Sequence, residues 1–70
     1  MNVIELKTKM LRNEKTPDEL CAAMGISKTS WYRKTGGESQ FTLGEISIIR
    51  RELSLTDRET AIIFFDGKVS

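Results

Sequence analysis

Residues 16–37 read TPDELCAAMGISKTSWYRKTGG, and this stretch decides the fold. Thr16 stands before Pro17, whose missing N–H costs nothing at a first helical position. Glu19, three residues after Thr16, completes a capping box in which the hydroxyl and the carboxylate each satisfy an orphan N–H. Gly25 follows Met24 where a helix needs a left-handed cap. Ser27 then opens a second segment, Lys28 to Thr35, as a cap without a reciprocal acid, and Gly36-Gly37 ends it. Two short helices crossing at such a bend need a small residue where they touch, a glycine at the turn and apolar anchors on either side. Cys21 is the small residue, Gly25 the turn, and Leu20, Ile26 and Trp31 the anchors.

Outward from this core the cap signal repeats, as Asn2 with Glu5, Thr42 with Glu45 and Thr56 with Glu59, so the chain reads as five helices. The first spans Val3 to Glu14, with Val3, Leu6 and Met10 on one stripe, Leu11 beside it, and Glu5 placed to support Lys9. The fourth spans Leu43 to Leu53, with Leu43, Ile46, Ile49 or Arg50, and Leu53 facing inward and Arg50 and Arg51 serving the negative helix end. Between the third and fourth, residues 36–41 form a surface loop anchored by Phe41. Beyond Thr56 the run Ala61, Ile62, Ile63, Phe64, Phe65 is apolar all round before Asp66-Gly67. Its cap and Arg58-Glu59 favour a helix, while periodicity alone leaves a strand open for residues 61–69. No repeat or linker divides the chain, which is read as one domain over residues 1–70.

Composition removes whole classes of function. Seventy residues with 39% hydrophobic content place the core near the lower limit for independent folding. With no His and a single Cys, Cys21, the chain has neither the ligands for a structural zinc site nor a pair for an internal disulfide. No metal or other cofactor is therefore expected, and a reducing, cytoplasmic setting fits. The missing imidazole also removes the usual general base, so no enzyme is expected. No apolar run approaches the ~20 residues that span a bilayer. The net charge is only +1, so the placement of charge matters more than its sum. Residues 1–16 and 27–40 are net positive, whereas the segment from Ser54 onward is slightly acidic.

The Thr-Pro-x-Glu-Leu, Gly-Ile-Ser and Gly-Gly elements, with one helix before them and two after, resemble the helix-turn-helix of the Cro and C1-type phage repressors, the XRE-like family. The likeness covers nearly the whole chain and implies an all-α, lambda-repressor-like five-helix domain. Two positions depart from the family pattern: Cys21 stands where Ala is usual, and Trp31 replaces an aliphatic anchor, so the fourth and fifth helices must make room for the indole. The resemblance implies that the third helix enters the major groove, with Ser27, Lys28, Thr29, Tyr32 and Arg33 facing bases and Trp31 and Thr35 turned inward. Arg33 suits a bidentate contact to guanine, Lys28 a guanine or a phosphate, and Thr29 a base edge or a thymine methyl. Phosphate contacts are implied for Thr16, Pro17, Lys34, Gly37, Gln40 and Thr42. The implied function is a sequence-specific regulator of transcription, a repressor or Cro-like switch, bound to double-stranded operator DNA without any small-molecule ligand.

Simpler roles stand beside some of these. Trp31 and Cys21 read as packing residues rather than as a stacking platform or a redox centre. Five consecutive apolar residues exceed what one helix face buries, so Ile62, Ile63, Phe64 and Phe65 are expected to supply a symmetric homodimer contact. The alternative is a protein-interaction module, an antirepressor or adaptor, on the same helical scaffold.

Overall fold

Polar caps start each helix of the computed structural model, which describes residues 1–66. The described residues form α1 (Val3–Arg12), α2 (Pro17–Met24), α3 (Lys28–Thr35), α4 (Leu43–Glu52) and α5 (Asp57–Phe64), with no strand among them. Thr16, Thr42 and Thr56 close full capping boxes with Glu19, Glu45 and Glu59. Ser27 accepts the Ser30 N–H at 3.1 Å. Asn2 caps α1 by accepting the Glu5 N–H at 3.1 Å, but the reciprocal half of the expected box is absent. The Asn2 N–H instead donates to the Ile63 carbonyl at 2.7 Å, tying the start of α1 to α5, and Glu5 turns to Lys9 at 3.4 Å.

Helix ends differ more from the sequence reading. Gly25 adopts the left-handed conformation at φ 71°, and the Ile26 N–H reaches back to the Cys21 carbonyl at 3.1 Å. Among the described residues the same closure occurs twice without glycine, at Glu14 (φ 55°) and Ser54 (φ 51°). There the Lys15 N–H reaches Met10 O and the Leu55 N–H reaches Arg50 O, each at 2.9 Å. Helix α1 therefore stops at Arg12 rather than Glu14, and α4 at Glu52 with Leu53 as its cap. At the second site the left-handed turn buries both Leu53 and Leu55, and that burial offsets a conformational cost of about 1–2 kcal/mol. At the first, the Asn13 side-chain amide donates to the Lys9 carbonyl at 2.8 Å.

Helix α2 packs on α3 and α4, and α1 packs on α5. Leu6, Leu20, Ile49, Leu53 and Ile63 are the fully buried centre of the core, with Met10, Cys21, Trp31, Phe41, Ile46 and Leu55 around them. Leu43, expected on the inner stripe of α4, is instead 76% exposed, and Leu11, expected beside the stripe of α1, is 81% exposed. Leu11 lies one step of about 100° beyond Met10, and three-residue steps drift by about 60° each, which carries Leu43 off the face of Ile49 and Leu53. The indole of Trp31 is received edge-on by the loop residue Phe41, ring centres 5.7 Å apart, and Phe41 rests on Phe64 of α5 at 5.8 Å. The run from Ala61 is helical through Phe64, and residues 67–69 of the expected segment lie outside the described residues.

Ion pairs join the halves. Glu59 of α5 takes Arg12 at 2.9 Å and Lys9 at 3.4 Å, both from α1. The Thr56 N–H, followed by these two cations, holds the Glu59 carboxyl down to about 2. Among the described residues, no helix is long and apolar enough to cross a membrane.

Candidate functional site

The site is the outer face of α3 and what borders it. Helical periodicity puts Trp31 on the buried side, and Thr35 follows one turn later with its hydroxyl donating to the Trp31 carbonyl at 3.0 Å. Thr29 and Arg33, themselves one turn apart, lie on the opposite side, and both are exposed. Ser27 and Lys28 at the start of the helix are exposed as well, and Tyr32 is 60% exposed. The five residues expected to face bases thus share one accessible surface that the rest of the described chain leaves uncovered.

Their charges are not equivalent. The Lys28 ammonium contacts the Asp18 carboxylate of α2 at 2.8 Å and sits 5.7 Å from the centre of the Tyr32 ring. That hydrogen bond raises the Lys28 pKa. Arg33 makes no ion pair among the described residues, a condition it shares with Lys7 and Arg58. The other described cations, including Lys15 with Glu52 and Arg50 with Asp57, are paired.

The expected phosphate-contact residues are largely engaged within the fold. Lys34 is the most engaged of them: its ammonium is mostly buried, 2.9 Å from Glu45 and 3.1 Å from the Gln40 carbonyl, against the Phe41 ring. It braces α3 against the start of α4 rather than reaching outward. Burial pushes the Glu45 carboxyl up, but the Thr42 N–H and Lys34 outweigh it, and the pKa falls below the usual range. The Thr42 N–H is taken by Glu45 at 2.9 Å, and the Gly37 N–H points to the Lys34 carbonyl at 3.4 Å. The Thr16 hydroxyl exchanges hydrogen bonds with Glu19, while Pro17 has no N–H to offer. The Gln40 side chain is exposed. Asp18 and Glu19 make the entrance to α2 acidic.

The turn below the site is set by Gly25, Leu20, Cys21 and Ile26. Leu20 and Cys21 are buried and Ile26 is half-buried. Burial pushes the Cys21 thiol up, and its Sγ lies 3.9 Å from the Ser27 carbonyl, the geometry of a packing residue. No group of three or more His, Cys, Asp or Glu able to hold a metal occurs among the described residues.

The apolar run of α5 divides. Ile63 is fully buried, which removes it from the expected dimer contact, while Ile62 and Phe64 are half-buried and Phe65 is 42% exposed. Met1, Phe64 and Phe65 border a cleft of about 410 Å³ together with Lys34 and the loop residues Gly37, Ser39 and Gln40, so this end of α5 adjoins the end of α3.

Sequence reading missed the Lys28–Asp18 and Lys34–Glu45 pairs. Their members lie 10 and 11 residues apart, on different helices, so no same-helix spacing rule signals them. No protein-family model, curated protein or solved structure matches the chain, and the functional reading therefore rests on the geometry of its own residues.

Proposed function

We propose that the chain is a sequence-specific DNA-binding regulator of the Cro and C1 type, in which α2 and α3 form a helix-turn-helix and α3 lies in the major groove. The observation that carries this reading is the surface of α3. Lys28, Thr29, Tyr32 and Arg33 are exposed together while Trp31 anchors the helix from beneath. A guanidinium without an acidic partner among the described residues, projecting from a short anchored helix, has the form needed for bidentate contact with guanine O6 and N7. Ser27 and Thr29 add hydroxyls at the end of the helix that reaches deepest in such docking.

With Lys34 engaged internally, backbone contacts on this reading come from Gln40, from Lys28 when Asp18 releases it, and from Lys7 on α1. The protein acts as a homodimer through Phe65 with Ile62 and Phe64, placing two copies of α3 about 34 Å apart on successive half-sites. A fluorescence-anisotropy titration of duplex DNA at several salt concentrations tests the reading. Affinity that falls steeply with salt supports it, and absence of binding at low ionic strength refutes it.

A second reading, a protein-interaction module docking through Tyr32 and Phe65, is favoured by one observation: most described cations already have acidic partners, and Asp18 and Glu19 border the site. The same titration separates the two.

A further inference from the structure

We propose, on the reading of α3 as a DNA-reading helix, that Asp18 is a specificity-determining residue: its carboxylate masks the Lys28 ammonium and so suppresses attraction to DNA of random sequence. Asp18 lies in the first turn of α2 and Lys28 at the first position of α3, and the bend at Gly25 brings Oδ1 and Nζ to 2.8 Å. The ammonium is also held against the Tyr32 ring at 5.7 Å. The neighbouring acid behaves differently. Glu19 spends its carboxylate on the Thr16 N–H and hydroxyl, each at 3.2 Å, and none of its ion pairs or hydrogen bonds involves α3. Lys28 is thus the one exposed α3 cation under restraint, and Arg33 is the exposed one without it.

Sequence-independent binding follows the number of phosphates a protein neutralises, whereas a cognate site adds contacts to base edges. Withholding one lysine therefore weakens random binding by a larger share than cognate binding. Both partners of the pair are substantially solvent-exposed, so a phosphate competes with Asp18 for Lys28 at modest cost. The mask is a bias and not a lock.

The test is salt-dependent anisotropy titration of a short random-sequence duplex with the full chain and four variants: Asp18→Asn, Glu19→Gln, Lys28→Gln and the Asp18→Asn/Lys28→Gln pair. Glu19→Gln keeps a residue able to close the capping box and reports the generic effect of removing one negative charge. Asp18→Asn is expected to raise random-duplex affinity about two- to five-fold beyond Glu19→Gln, the range an exposed ion pair supports. It is also expected to steepen the logarithmic salt slope by up to about 0.9, and both effects vanish on the Lys28→Gln background. Equal gains from Asp18→Asn and Glu19→Gln, or a gain that survives Lys28→Gln, overturn the masking role while leaving DNA binding intact. No binding by any of these proteins overturns both. A readout without DNA is the Lys28 side-chain nitrogen resonance, which must shift on Asp18→Asn; an unchanged resonance also overturns the proposal.

Discussion

Replacing Gly25 by Ala isolates the energy of the bend between α2 and α3. Gly25 sits at φ 71°, and a Cβ built there meets nothing within 4 Å, so the substitution brings no collision and its cost is conformational. A left-handed non-glycine residue costs about 1–2 kcal/mol. Alanine also narrows the unfolded ensemble, returning about 0.4–1 kcal/mol. The expected net loss is about 0.5–1 kcal/mol, a fall in Tm of roughly 4 °C or somewhat more for a chain this short. Ser54→Gly is the mirror experiment: Ser54 holds φ 51° without being glycine, so the same arithmetic gives a gain of similar size. Thermal melts followed by far-ultraviolet circular dichroism, with urea titrations for the free energies, read both. A Gly25→Ala protein as stable as the parent, or a Ser54→Gly protein less stable, refutes the assignment of these closures.

Further outcomes follow from the core and the charges. Ile49 is fully buried, and Ile49→Ala should cost about 2–5 kcal/mol, comparable to all that so small a core supplies, so the variant should be largely unfolded at room temperature by circular dichroism. Leu11→Ser, at a position 81% exposed, should change stability by no more than about 0.5 kcal/mol, and a larger loss in urea titration would show that Leu11 is packed. Glu59, depressed to about 2 by Thr56, Arg12 and Lys9, contributes stability above its unfolded pKa and loses it as pH falls through the folded value. Stability should therefore decline from about pH 4.3 downward, and Glu59→Gln, which can still close the capping box, should show a flatter acid limb in pH-dependent melts.

Helix starts were legible because a cap is local: Thr16, Thr42 and Thr56 each need only an acid three residues away. Two of the stops were not. Glu14 and Ser54 take left-handed geometry for reasons that lie outside their own chemistry, in the burial of Leu53 and Leu55 and in the amide of Asn13. The exposure of Leu43 was hidden for a related reason, since hydrophobicity marks what a core can accept and not which face a neighbouring helix covers. At the site, the outward set of Ser27, Lys28, Thr29, Tyr32 and Arg33 was implied by the resemblance to the Cro and C1-type repressors rather than by periodicity. The availability of each cation did not. Lys34 and Arg33 are adjacent in sequence, yet Glu45 of α4 claims one and no described acid claims the other. Such differences are tertiary facts, settled by which helix end comes to rest nearby.

Base reading by α3 is decided by selection of bound duplexes from a random pool, followed by titration of the winners with the parent protein and Arg33→Ala. A two-fold symmetric consensus is expected, with Arg33→Ala losing about 1–3 kcal/mol per affected base pair on that consensus and far less on unrelated duplexes. A pool that enriches no sequence, or an equal loss on all duplexes, would contradict it.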